Sequence, residues 1–318
     1  MPLDIRPYHN TDTQALCRVF NAHYQAAGLP YVLTPLSLEL CVLAKSYFSP
    51  EELLVAETDG AVVGFVLIGF EPALDLRSLC ASRAVVSGLC VAPHDAAAET
   101  AQQLIAAATR VASKCGANQL RFCPPPPASP YLAGVAPGDA MIGSPAGDVR
   151  QQNWLAAAGW TVEESIVYWN IDLAQFHSPM DRTQIQIRRM AHVDRLLDEP
   201  MLPWYVASML GHAEQIGFQL TARDTRSVTA DIVLWTIGHE LLPQPDVIAR
   251  LWPLEPRECQ RSEDQLIFLL AEAFRQLRED RVDAVRTVSR SRDIEVTRLL
   301  GRIGFETLAQ GTVYSASI

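Results

Sequence analysis

Lysine is almost absent: only Lys45 and Lys114 stand among 26 basic residues, against 36 acidic ones, for a net charge of -10. Broad affinity for nucleic acid through phosphate contacts is therefore not expected. The chain also lacks a GxxxxGK[ST] phosphate loop, a GxGxxG turn and a GxSxG elbow. Its longest apolar run, Ala61 to Phe70, falls far short of the roughly 20 residues that a spanning helix needs, so no membrane partner is expected. The opening Met-Pro-Leu-Asp-Ile-Arg has no basic stretch before an apolar core, which argues against a signal peptide. Seven cysteines include no CxxC pair, and seven histidines include no HxxxH or HExxH spacing. Buried, reduced thiols in a cytoplasmic protein without a metal site are the expectation.

What is present is enough chain for two domains of ordinary size, 318 residues with 49% hydrophobic side chains. The charge is uneven: residues 1–175 carry 9 basic and 16 acidic side chains, and residues 176–318 carry 17 and 20. Arg275 to Arg302 holds eight arginines interleaved with acids, a pattern of solvated helix faces.

Along the first half, a strand is expected at Asp4 to Tyr8 and a helix at Thr13 to Ala27, where Leu16, Val19, Phe20 and Tyr24 recur at helical spacing. Thr34 and Pro35 open a second helix, to Lys45. Leu53 to Thr58 and Ala61 to Phe70 flank Asp59-Gly60 as a hairpin. A strand at Arg83 to Val91 ends at Pro93, and a helix runs from Asp95 to Lys114. A strand at Asn118 to Cys123 meets four prolines, then a long loop from Pro124 to Gly147. A helix from Asp148 to Ala158 and a strand from Trp160 to Leu173 complete this half.

The second half repeats the order. Strands are expected at Ile185 to Met190, Phe218 to Arg223, Ala230 to Ile237, Asp246 to Leu254, Asp283 to Ser289 and Phe305 to Ser315. Helices are expected within Val193 to Gln215, at Glu263 to Glu279 behind a Ser262–Gln265 capping box, and at Ile294 to Ile303. The pattern predicts an α/β (α+β) fold on a mixed sheet, in two domains at 1–175 and 183–318 joined through 174–183.

This order, with Leu89-Cys-Val-Ala-Pro93, Ala158-Gly159-Trp160 and Ile303-Gly304-Phe305, resembles the GNAT acyltransferase superfamily in tandem form. The resemblance implies an acyl-CoA co-substrate, acetyl-CoA in the simplest case, and a small-molecule amine acceptor. It places pantetheine along Leu89, Cys90 and Val91, and pyrophosphate against Ala96, Ala97, Ala98 and Ala101. The family's glycine-rich phosphate turn is missing from both halves. Asp95 and Glu99 in the first, and Glu263 and Asp264 in the second, suit a bare helix N-terminus and repel an anion there. Arg257 and Arg261 either reach phosphate or form a salt-bridged surface.

Family members often carry a Tyr acid four residues before the closing Gly; Leu155 and Leu300 stand in its place. Tyr131 and Tyr168 are the candidate acids, and Glu57 is the candidate base. Cys90 has no evident His base, so it is expected to be a buried small residue. Two readings stay open: an N-acyltransferase centred on the first half, or a GNAT-descended binding or scaffolding protein without catalysis. An open cleft beside Leu89 to Val91 favours the first, and a cleft filled by side chains favours the second.

Overall fold

The computed structural model describes residues 3–135, 142–179, 181–196, 202–238, 241 and 246–318. In chain order the elements are β1 (Asp4–Pro7), α1 (Thr13–Ala26), α2 (Pro35–Leu38), β2 (Leu53–Thr58), β3 (Ala61–Pro72), β4 (Leu79–Val91), α3 (Ala97–Lys114), β5 (Gln119–Phe122), β6 (Ser144–Pro145), α4 (Val149–Ala157) and β7 (Thr161–Asp172). There follow α5 (Arg182–Met190), β8 (Ala191–Arg195), α6 (Trp204–Met209), β9 (Glu214–Ala222), β10 (Val228–Thr236), β11 (Ile248–Leu251), α7 (Pro256–Glu279), β12 (Ala284–Arg290), α8 (Ile294–Ile303) and β13 (Glu306–Ser317).

Contacts divide the chain into two compact units whose boundaries are not sequential. The first comprises residues 1–166, 202–212 and 310–318; the second comprises 167–201 and 213–309. Two short segments from the second half of the sequence thus fold with the first unit. A split at 174–183 does not capture this, because those segments are held by partners distant in sequence.

In the first unit the strands lie in the order β1, β2, β3, β4, β5, followed by the last residues of β13. Every pair is antiparallel except β4 with β5. The β2–β3 turn uses Asp59 and Gly60 at φ 54° and 75°, the doubly positive geometry that Asp-Gly favours in a tight hairpin. Tyr314 to Ser317 run antiparallel to Phe122 to Gln119, so β13 covers what would otherwise be an open edge of β5. Helices α1 and α3 both pack on β3 and β4, burying Leu16, Phe20, Leu104 and Ala108 completely. Thr34 caps α2, its side chain accepting from Ser37 N, as its place before Pro35 leads one to expect.

The 202–212 segment is held by one of the two lysines. Lys45 Nζ donates to the carbonyls of Ser208 (3.2 Å) and Met209 (2.8 Å) at the C-terminal end of α6, and lies 3.0 Å from His212 Nδ1. A cation there meets both the unpaired carbonyls and the negative end of the helix.

In the second unit the order is β7, β12, β11, β10, β9, β8, with β11 and β12 parallel. Helix α7 supplies the core face expected of it: Leu266, Leu269, Leu270, Ala273, Phe274 and Leu277 are all buried.

Two local expectations are overturned. Residues 185–190, expected as a strand, belong to helix α5. Asp181 caps it by accepting from Gln184 N at 2.8 Å, and Gln184 and Ile187, three residues apart, form its buried side while Ile185 stays exposed. The region 193–215, read as helical, begins inside strand β8 and ends inside β9, with helix only at α6; residues 197–201 lie outside the described residues. Among its described residues, the expected loop from Pro124 to Gly147 contains only the two-residue β6; residues 136–141 lie outside them.

Candidate functional site

The expected site begins with a bulge in β4. Pairing with β3 runs Gly64↔Val91, Phe65↔Cys90, Val66↔Leu89 and Leu67↔Gly88, then slips so that Ile68 faces Val86. Ser87 is the extra residue, and it reverses which backbone groups face which neighbour. Ala92 N donates to Val63 O on the β3 side, so the groups of Leu89 and Val91 face the opposite way, toward β5. But β5 has already departed. Its last bond to β4 is Cys123 N to Val86 O at 2.9 Å. Leu89 and Val91 therefore present backbone groups to a gap between two diverging strands.

Side chains fill that gap. Gln151 on α4 donates from Nε2 to Leu89 O at 3.1 Å. His23 on α1 sets Nδ1 against Val91, 3.2 Å from its O and 3.4 Å from its N. The other ring nitrogen, Nε2, sits 2.8 Å from Asp148 Oδ2, with both side chains 0% exposed. With Nε2–H donated to the carboxylate, a neutral ring accepts from Val91 N and a protonated ring donates to Val91 O. Either form occupies a Val91 backbone group. Asp148 also caps α4, accepting from Gln151 N at 3.1 Å. Burial alone would raise the Asp148 carboxyl, yet the His23 hydrogen bond and charge hold it below the usual carboxylate range.

The remaining expected cofactor positions offer little. Cys90 is fully buried, and burial pushes its thiol well above the ordinary value, so it is inert as a nucleophile. At the start of α3, Ala96 N donates to His94 Nδ1 at 3.2 Å, so one free N–H of that terminus is already used. Ala96 and Ala98 are exposed beside exposed Asp95 and Glu99; Ala97 is half-buried and Ala101 is in the core.

The candidate acids and base lie in different settings. Glu57 on β2 accepts from Arg6 Nη2 (2.8 Å) and Nε (3.0 Å), and Arg6 also pairs with Asp12, so Glu57 belongs to an edge ion-pair network. Tyr168 is buried on β7, in the second unit. Tyr131 is buried among the rings of Tyr47 and Phe48 and donates to Glu52 Oε2 at 3.1 Å. Burial raises its hydroxyl further out of acid range. Leu155 and Leu300, at the positions the resemblance gave to an acid, are both 0% exposed.

Burial pushes Glu52 up from 4.5 to about 7, against the pull of the Tyr131 hydrogen bond. A raised carboxyl stays protonated in the folded chain where the unfolded chain has lost its proton. Its contribution is therefore full below about 4.5 and is lost as pH rises through about 7. Glu52→Gln removes this penalty. The variant is expected to match the parent in urea unfolding at about pH 4 and to exceed it by about 1–2 kcal/mol at about pH 8, after allowing for partial exposure. A gap that does not widen with pH refutes the assignment.

In the second unit, β11 and β12 stay paired through Arg250↔Arg286. Beyond that point Leu251 O accepts from the hydroxyl of Thr287 at 3.0 Å. Helix α7 starts with Pro256 to Arg261 and breaks at Ser262, where φ is -139° and ψ is 32°. After the break, Glu263 accepts from Arg298 (2.7 Å) and Arg302 (2.6 Å), which tie the helix start to α8. Arg257 and Arg261 are exposed.

The group that sequence reasoning missed is His23 with Asp148 and Gln151. A signal existed: His23 falls in the same helical series as Leu16, Val19, Phe20 and Tyr24, so its burial was legible, though not its partner.

Neither a protein-family model nor a curated protein matches the chain. Solved structures do match it. A tandem GNAT protein from the clavulanic acid biosynthesis pathway is 14% identical at a TM-score of 0.65, over 99% of this chain and 98% of that one. A GCN5-related N-acetyltransferase from Sphaerobacter thermophilus is 13% identical at a TM-score of 0.64, over 99% and 95%. The GCN5-related glucosamine N-acetyltransferase region of a fungal multi-domain GH3 β-N-acetylglucosaminidase is 15% identical at 0.72, over 99% of this chain and 38% of that one. At such identities the likeness carries the fold alone. Over nearly its whole length, this chain has the fold of the tandem GNAT acyltransferases.

Proposed function

We propose that this chain is a GNAT-descended binding or scaffolding protein whose first unit no longer takes acyl-CoA. One observation carries the proposal: the backbone groups of Leu89 and Val91 beyond the end of β5 are already bonded to buried Gln151 and His23. A pantetheine arm would have to expel both side chains and leave the Asp148 carboxylate buried without its partner. Breaking a buried pair in that way costs about 3–5 kcal/mol, which consumes much of the free energy of a micromolar complex. The α3 terminus offers no compensation, because Asp95 and Glu99 oppose a pyrophosphate there.

A second reading moves acyl transfer to the second unit: an acetyl or other acyl group passes from CoA to an amine acceptor. Arg257 and Arg261 favour it, since both are exposed at the start of α7 and have no ion pair among the described residues. The Thr287 bond to Leu251 O weighs against it.

Calorimetric titration of the full chain with acetyl-CoA separates the two. No saturable heat is expected up to about 1 mM ligand. Micromolar binding that survives in the parent but disappears in an Arg257→Glu/Arg261→Glu variant would transfer the function to the second unit. Micromolar binding unaffected by that variant would return CoA to the first unit and overturn the reading of a closed cleft.

A further inference from the structure

The sheet of the second unit ends at β8, which pairs with β9 on one side and, among the described residues, with no strand on the other. Met190 O accepts from Arg223 N at 2.8 Å, and Leu196 N donates to Gly217 O at 2.9 Å. The even-numbered backbone groups of this segment therefore turn toward β9, and those of Ala191, Val193 and Arg195 turn outward. Ala191 N is spent on Ile187 O at the end of α5, which leaves Ala191 O and both groups of Val193 and Arg195 along the edge. The outer strand of the first unit is blunted by comparison. Tyr8 N donates to Leu53 O, so Ile5 and Pro7 face outward there, and Pro7 has no N–H to offer. Strand β8 carries no proline and no register slip.

Its side chains suit one partner, an antiparallel copy of the same strand. With Val193 on a two-fold axis, Val193 opposes its own copy, Ala191 opposes Arg195, and His192 opposes Asp194 on both sides of the axis. The Val193 pair would exchange two hydrogen bonds, and each Arg195 N–H would reach an Ala191 carbonyl. His192 and Asp194 fall at the intervening positions, where opposing side chains lie closest. Their side chains are 40% and 49% exposed, and His192 Nε2 lies 3.1 Å from Asp194 Oδ2 of its own strand. Pairing would set each carboxylate between two imidazoles. Moving the axis to His192 or to Asp194 would oppose like to like, so charge selects the register. On the other face, Val193 packs against the core of the second unit and would extend it across the axis. Small Ala191 leaves room for Arg195, which is held to Asp280 at 2.5 Å.

We infer that the β8 edge is a self-association surface, on which a second copy of this chain adds its own β8 antiparallel, with Val193 at the axis and His192 against Asp194. An edge of 5 residues buries little area, so the dimer is weak, with a dissociation constant on the order of 100 µM. The pairing does not depend on whether either unit takes CoA.

The test is sedimentation velocity of the full chain at neutral pH, from about 5 µM to about 500 µM, a range that brackets so weak an interface. The parent is expected to pass from monomer to dimer. His192→Asp opposes carboxylates at both positions and should weaken association at least about tenfold. A His192→Lys/Asp194→Lys variant opposes ammonium groups and should do the same. Both positions are accessible, so the melting temperatures of the variants should stay near the parent's. An equimolar mixture of the two variants should dimerise where neither does alone, because carboxylate then meets ammonium at both positions. A parent that stays monomeric throughout, a dimer that His192→Asp leaves intact, or a mixture that fails to associate would each overturn the assignment.

Discussion

Replacing His23 by alanine is expected to cost the chain about 3–5 kcal/mol of folding stability at pH 7, read as a fall in the urea midpoint with little change in slope. The cause is less the lost imidazole contacts than what remains behind. Asp148 is 0% exposed, and its carboxylate would keep only the Gln151 backbone bond that caps α4. Uncompensated buried charge is among the few single-site effects of this size. Adding Asp148→Asn should recover at least half the loss, because asparagine keeps a capping oxygen while removing the charge. If the double variant is no more stable than His23→Ala alone, the charge argument fails and the loss is one of packing. The same pair of variants informs the proposed function, since opening the gap beside Val91 is what a pantetheine arm would require.

Gly143→Ala is expected to be nearly as damaging, by a different route. Gly143 has φ +66°, which costs an alanine about 1–2 kcal/mol. A Cβ there would also lie 2.8 Å from Thr312 N and 3.0 Å from Thr312 C, both backbone atoms that no rotamer change can move. The clash falls where β6 pairs with Gly311 and Thr312, and so acts directly on the strand that completes the first unit. A total loss of about 3 kcal/mol or more, with faster amide exchange at residues 312–317, is the expected result. Gly116 and Gly159 also have positive φ, but nothing lies within 4 Å of a Cβ there. Alanine at those sites should pay the backbone cost alone. Amide exchange at 312–317 as slow as in the parent would show that the strand tolerates the methyl group.

Much of the fold was legible because its signals are local. Asp59-Gly60 announced a hairpin, Thr34 before Pro35 a capped helix, and Gly159 and Gly304 the left-handed ends of α4 and α8. Ser262, expected to cap a helix from Glu263, is instead a break inside α7, because Pro256 at a first helical position extends the helix in front of it. The strand expected at 185–190 fails because so short a segment does not distinguish a strand from a capped helix with Ile187 buried and Ile185 exposed. What was not legible depends on contacts between distant positions. The sequence placed Leu89 to Val91 on the right strand, but the closure of their gap joins His23 on α1 to Asp148 and Gln151 on α4. Nor does a linear pattern reveal that 202–212 and 310–318 fold with the first unit.

That last arrangement has a consequence for biosynthesis. During translation, residues 1–166 leave the ribosome with the β5 edge still bare, because its partner is encoded at 310–318. At about 5–20 residues per second, the intervening stretch takes roughly 7–30 s to synthesise. Throughout that interval the nascent first unit exposes an unpaired strand edge, with Leu120 and Phe122 short of their final cover. The unit that comes off the ribosome first is thus completed last, and its exposure to chaperones is set by the length of the second unit.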